Sequence, residues 1–176
     1  MRKVEMKEFV NDFNYLKENK ITGYNICDRT YILTGVETHF KNNNADIEVL
    51  HTQHMGGCII NFTGDVCVYN FQDDFNDFGQ TFMCELKNYL TGKGLNCKIA
   101  ENDLLVDGYK CGSYMSRNID GVIYTAIHIS INMDVDLIKS ICTKPMVKIP
   151  KGLSDFGITT DEIIEFIKNT IGDICQ

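Results

Sequence analysis

Residues Asn102 to Ser116, N-D-L-L-V-D-G-Y-K-C-G-S-Y-M-S, hold the side chains best placed to do chemistry. A strand-like run at Leu104–Val106 enters Asp107-Gly108, and Asp-Gly between two such runs is a strong short-range hairpin signal. The returning limb carries Lys110 and then Gly112-Ser113. A lysine just after a tight turn, beside a residue without a side chain, can set one positive charge where a phosphate or acyl group approaches the backbone. The same residues also suit a surface hairpin with a solvated lysine, and from this stretch alone both readings stand.

Other candidates carry the same double reading. His128 sits in the alternating run 122–133, either as a hydrogen-bonded core histidine or as a site residue. Asn102-Asp103 is a strand-entry turn or a pair that binds a ligand. Cys142, in S-I-C-T-K-P, by contrast reads as a buried thiol on a short helix. Lys139, Lys144, Lys148 and Lys151 cluster in one segment, as a solvated loop or a local basic pocket for a small anion.

Composition narrows the classes. A net charge of −7 argues against a broad nucleic-acid face. No apolar run approaches the roughly 20 residues of a membrane helix. The N-terminus, M-R-K-V-E-M-K-E, lacks the apolar core of a secretory signal, so a cytoplasmic protein is expected. The eight cysteines form no C-x-x-C pair and no cysteine–histidine cluster of zinc spacing, so reduced thiols and no metal site are expected.

These residues must be positioned by elements legible in the pattern. Val4, Met6, Phe9, Val10, Phe13 and Leu16 recur at helical spacing and predict a helix over 4–19. Strands are expected at 30–35, 46–51, 58–62 and 66–71, the last two joined as a hairpin through Thr63-Gly64-Asp65. A helix over 78–90 starts at Asp77 as N-cap and closes at Gly92 and Gly94. A strand at 95–100, the 102–116 hairpin, a long strand at 122–133, a short helix at 135–141 and a helix at 159–171 capped by Thr159 or Thr160 complete the chain. The N-N-N at 42–44 and D-D-F-N-D at 73–77 read as loops. Strands and helices do not alternate regularly, so the class is α+β: a mixed, mostly antiparallel sheet with packed helices. The 176 residues suit one domain.

The order of four blocks resembles the lipoate–protein ligase, octanoyltransferase and biotin–protein ligase superfamily. They are Y-I-L-T-G-V-E-T-H at 31–39, V-L-H-T-Q-H-M-G-G-C-I-I-N-F-T-G-D-V-C-V-Y-N-F at 49–71, N-D-L-L-V-D-G-Y-K-C-G-S at 102–113, and H-I-S-I-N-M-D-V-D-L at 128–137 followed by K-G-L-S at 151–154. The resemblance implies a class II synthetase-like domain over 1–176, without an accessory C-terminal domain. It implies a lipoyl, octanoyl or biotinyl group passed to a carrier-protein lysine, through an acyl-adenylate made with ATP and Mg²⁺ or through a cysteine thioester. Carried over by position, Lys110 would bind the acyl carbonyl and phosphate, and Gly56 and Gly57 would admit the ligand to the backbone. Asn102 and Asp103 would hold the nucleotide side or orient Lys110. Gly112, Ser113 and His128 would line the acyl tunnel or reacting end, and Lys151 would reach a phosphate. Cys142, several residues before the position of the octanoyltransferases' Pro-Cys-Gly cysteine and without that context, is the candidate for the thioester nucleophile.

The sequence departs from the family's pattern at named places. The segment Thr52-Gln53-His54-Met55 has no arginine, where the ligases carry an Arg-Arg pair and the octanoyltransferases a single arginine. Cys58 replaces the third glycine of the ligase loop, and Phe62 stands where both groups have a histidine. Each lost charge-assisted hydrogen bond removes about 1.5–3 kcal/mol, which His51 and His54 offset only in part because a histidine is mostly neutral at pH 7. The alternative reading is therefore a binding or structural protein that keeps the fold to hold a partner protein or a small acyl or nucleotide ligand. Compact relatives of this kind are expected in phage or other mobile genomes.

Overall fold

Val4 and Met6 are both buried although two residues apart, which a single helix over 4–19 would not produce. A computed structural model describes residues 2–35, 41, 46–52, 58–74, 77–143 and 146–174, with backbone alone at Cys58 and Asp173. In it the expected helix is three elements: strand β1 (Arg2–Val4), α1 (Met6–Asn11) and α2 (Phe13–Glu18). β1 lies parallel to β2 (Gly23–Ile26), with Val4 opposite Asn25. Asp12, at φ −93° and ψ 8°, separates the two helical turns.

The remaining elements follow the expected order. They are β3 (Tyr31–Thr34), β4 (Glu48–His51), β5 (Cys58–Asn61), β6 (Val66–Gln72), α3 (Phe78–Gly92), β7 (Cys97–Ala100), β8 (Asp103–Val106), β9 (Tyr109–Ile119), β10 (Val122–Ile129), α4 (Val135–Ile141), a 3₁₀ turn (Leu153–Phe156) and α5 (Thr160–Ile174). Asp77 takes the N-cap position of α3 but makes no side-chain cap bond. At α5 the capping residue is Thr159: its Oγ1 accepts from Glu162 N (3.3 Å) and Glu162 Oε2 accepts from Thr159 N (2.9 Å). The loop expected at 42–44 lies outside the described residues, as do positions 75 and 76 of the 73–77 loop.

Asp107-Gly108 and Asp120-Gly121 turn β8 into β9 and β9 into β10. All four residues have positive φ, at 50° and 85° and at 54° and 89°, the backbone of type I′ hairpin turns. The strands form a seven-stranded sheet in the order β1-β2-β6-β10-β9-β8-β7 and a three-stranded sheet β4-β3-β5. The expected 58–71 hairpin is not formed. β5 pairs with β3 in the small sheet, while β6 pairs with β2 and β10 in the large one. The Asp65 carboxylate at the corner accepts from Phe62 N (2.8 Å) and from Ile131 N (2.7 Å) beyond β10, which separates the two strands.

One face of the large sheet packs on α3 and α5 through Phe82, Met83, Leu86, Ile163 and Ile167. The opposite face packs on α1 and α2 through Phe9, Phe13, Tyr69 and Tyr124. α4 lies in a third cluster with Ile32, Ile47 and Ile60 of the small-sheet region. Among the described residues no helix is long and apolar enough to cross a membrane.

Candidate active site

Residues opposite one another on paired strands share a face. In this sheet that rule aligns a polar row across strands that are otherwise largely apolar. Asn25 pairs with Cys67, Cys67 with His128, His128 with Ser113, and Ser113 with Asp103. The row therefore crosses β2, β6, β10, β9 and β8 on the face turned from α3 and α5. Neighbouring strands lie about 4.8 Å apart, so the row is a continuous polar floor.

At one end a β-bulge decides where the lysine points. Leu104 pairs with Gly112, but Leu105 pairs with Lys110, leaving Cys111 as the extra residue. A regular ladder would put Lys110 opposite Val106, on the helix side. The bulge turns Cys111 into the core instead and brings Lys110 to the face of Asp103. Lys110 Nζ then reaches Asp103 Oδ1 at 2.8 Å. The segment 149–151 runs beside the bulge: Lys110 N donates to Ile149 O (2.9 Å) and Lys151 N to Lys110 O (3.0 Å). This delivers Lys148, whose Nζ donates to Asp103 Oδ2 at 2.6 Å. Burial works against the charge on Asp103, but the hydrogen bonds and charges of Lys110 and Lys148 outweigh it and hold the carboxyl below its ordinary range. The same bond raises Lys148. Lys148 Nζ also lies 3.8 Å from Glu101 Oε2, so two ammonium groups balance two carboxylates in a cleft of about 540 Å³ lined by Glu101, Asp103, Lys110, Lys148 and Cys142. Lys110, held by Asp103 and 38% exposed, is the ammonium group placed to meet an anion or a developing oxyanion.

In the middle of the row, His128 Nε2 lies 3.2 Å from Asp65 Oδ2. Asp65 is 0% exposed and also accepts backbone bonds from Phe62 (2.8 Å), Ile131 (2.7 Å) and Asn132 (3.1 Å). The ring nitrogen that faces the Asp65 carboxylate is Nε2, so this contact fixes the orientation of the His128 ring. Above the row lies a cavity of about 220 Å³ between the two sheets, lined by Ser113, His128, Cys67, Phe9, Tyr69 and Tyr124 among others. Its walls are mainly apolar, as is usual for a small-molecule site.

The sequence-expected residues divide as follows. Asp103 and Lys110 come together, and Ser113 and His128 line the cavity. Gly112 serves backbone approach: a Cβ there would meet His128 O at 2.8 Å. Asn102 is exposed at the β7–β8 turn, where its carbonyl accepts from Tyr114 N (3.0 Å). Lys151 does not join the cluster; its Nζ lies 5.0 Å and 4.6 Å from the ring centroids of Tyr109 and Phe156. Cys142 lines the cleft at the end of α4, but burial pushes its thiol up, which disfavours the thiolate. Gly56, Gly57 and His54 lie outside the described residues. Sequence reasoning did not single out Asp65 or the asparagines Asn25 and Asn61. It saw Lys148 only as one of a lysine cluster. The one local signal for Asp65 was its place at the end of Thr63-Gly64-Asp65.

The fold is that of the lipoate–protein and biotin–protein ligases, in a sequence far diverged from them. No family model and no curated protein matches the chain. Among solved structures it is similar to LipL1 of P. falciparum in complex with lipoate, at TM-score 0.72 and 16% identity, over 96% of this chain and 56% of that one. The chain thus spans little more than half the length of that protein. It is similar to the bipartite lipoate protein ligase of Thermoplasma acidophilum, described with its E2 lipoyl domain, at TM-score 0.71 and 14% identity, over 99% of this chain and 82% of that one. It is similar also to the biotin protein ligase of Aquifex aeolicus in complex with biotin and ATP, at TM-score 0.60 and 12% identity, over 99% and 68% of the two chains.

Proposed function

We propose that this protein activates a small carboxylic acid and transfers its acyl group to a lysine of a carrier protein. The observation that carries the reading is the Lys110–Asp103–Lys148 cluster at one end of a polar row whose other positions floor an apolar cavity. An acid lying along the row would place its chain among Phe9, Tyr69 and Tyr124 and its carboxylate toward the cluster. ATP would supply the adenylyl group, with pyrophosphate leaving, so that AMP becomes the leaving group on the acyl carbon. Lys110, oriented by Asp103, would meet the negative charge that gathers on the acyl and phosphate oxygens. His128, fixed by Asp65 through Nε2, would turn its other ring nitrogen to the reacting end for proton transfer. Among the described residues no group of three side chains could hold a metal ion, so Mg²⁺ would enter on the nucleotide phosphates, its usual mode.

The supporting likenesses bind lipoate in one case and biotin with ATP in another. The test is acid-dependent exchange of pyrophosphate into ATP, with lipoate, octanoate and biotin each offered. We expect exchange with at least one acid, and its loss by about 100-fold in Lys110→Ala, the usual effect of removing a positioned donor. Unfolding temperature should be retained, because Lys110 is 38% exposed and Lys148 still neutralises Asp103. A second reading is favoured by one observation: 52–55 has no arginine. On that reading the fold binds an acid, a nucleotide or a partner protein without turnover, and Lys110→Ala leaves partner binding unchanged. Absence of both exchange and acid binding would sink the first reading.

A further inference from the structure

The far end of the cavity is not apolar. Asn25 (1% exposed) and Asn61 (0% exposed) both line it. Asn25 Oδ1 and Asn61 Nδ2 have no hydrogen-bond partner among the described residues. Two other buried atoms share that state, Thr34 Oγ1 and Asn70 Oδ1, but neither residue lines the cavity. The orientation of Asn61 is fixed by its neighbour: Cys67 Sγ donates to Asn61 Oδ1 at 3.2 Å, which turns the amide NH₂ away as a free donor. Asn25 is the direct cross-strand partner of Cys67, so the two asparagines flank one point on the cavity wall. That point is the opposite end of the polar row from Asp103. It offers one acceptor and one donor where a purely aliphatic ligand would need neither.

A buried polar atom without a partner is costly to leave unmade, and native interiors hold few of them. Two of opposite sense beside one cavity form a complementary pair for a group that both donates and accepts. We propose that Asn25 and Asn61 select an acid whose distal end carries an amide- or urea-type function over one ending in a plain hydrocarbon. This rests on the acyl-ligase reading and narrows its substrate class. Discrimination should be strong, because a site built to hydrogen-bond a ligand group leaves its own atoms unpaired when that group is absent.

The test compares binding to the full chain, with ATP and Mg²⁺ present, of octanoate, 8-amino-8-oxooctanoate and biotin. The first two differ only in replacing a terminal methyl by a carboxamide. We expect the amide acid or biotin to bind at least about tenfold more tightly than octanoate. Asn61→Leu and Asn25→Leu, near-isosteric changes, should erase that preference and bring octanoate level or ahead. Equal or tighter binding of octanoate by the unmodified protein overturns the proposal while leaving the ligase reading intact, and needs no variant to fold. Retention of the preference in both leucine variants also overturns it. Failure of all three acids to bind removes the ligase reading, and this proposal with it.

Discussion

At the scale of single residues, two carboxylates do most of the organising. Asp65 is buried and gathers three backbone N–H groups and the His128 ring. Asp65→Ala would strand those donors, and each buried orphan costs about 1–3 kcal/mol. We expect Asp65→Ala to lose about 3 kcal/mol or more in urea unfolding, whereas His128→Ala should lose less than half of that. Asp103 works differently, holding two lysine heads at the cleft. Asp103→Asn should lower stability by about 1 kcal/mol, a figure reduced by the partial exposure of the lysines. Its pH dependence has a definite sign. The folded Asp103 carboxyl lies below its unfolded value, so its contribution is present above about pH 4 and disappears as pH falls through the folded value. The raised Lys148 contributes fully below about pH 10 and loses its part as pH rises through its own folded value. The gap between wild type and Asp103→Asn in urea midpoint should thus be flat across neutral pH and close at both extremes. A gap that grew toward low pH would contradict the pairing. Lys110 was legible because an Asp-Gly turn announces its position. Asp103 entered only with the block around it, and Lys148 could not be matched to Asp103 from spacing, since the two stand 45 residues apart.

Elements explain what residue types alone could not. Periodicity predicted most strands and all the longer helices, because burial on one face leaves a period in the sequence. It failed at 58–71, where two strand-like runs flank a turn yet belong to different sheets. Turn chemistry is local, whereas the choice of partner strand was made by β3, β2 and β10, remote in sequence. It failed also at 4–19, where Val4 and Met6, two residues apart, fit strand alternation and not one helical face, while the residues from Met6 onward follow helical spacing. The bulge at Leu104/Leu105 left no mark beyond the small Gly112, yet it decides which face Lys110 occupies. Gly112 is the accessible probe of that device. A methyl group there would meet the His128 carbonyl at 2.8 Å, backbone against backbone, so the strands must part. Gly112→Ala should cost about 1–3 kcal/mol and slow acid-dependent turnover more than Gly108→Ala. Gly108 has positive φ but open space, and its substitution should cost only about 1 kcal/mol, from backbone strain. Equal effects of the two on turnover would argue that the β9–β10 approach has no part in setting the site.

The whole molecule places a partly open cavity where two sheets and α1 meet. A void of about 220 Å³ between layers forfeits packing that a closed core would gain, so the fold is less stable than its layers allow. That deficit has a natural reason if the space exists to be filled by a ligand. The position that tests this is Ala126, on β10 between Tyr69 and Met115, with its side chain at the cavity wall. In a filled core, Ala→Phe would overpack and lose about 1–3 kcal/mol. Here the ring has somewhere to go, and cavity filling commonly stabilises by about 0.5–2 kcal/mol. Ala126→Phe should therefore keep or raise the unfolding temperature while weakening acid binding at least about tenfold, or 1.4 kcal/mol. Nucleotide binding at the Lys110–Lys148 cleft should be unaffected, because the cleft is lined by a different set of residues. Calorimetric titration of the acid and of ATP into the same variant separates these outcomes. If the variant is destabilised as a packed core would be, the space is closed in solution. If it is stable and still binds the acid as wild type does, the acid lies elsewhere and the polar row has another use.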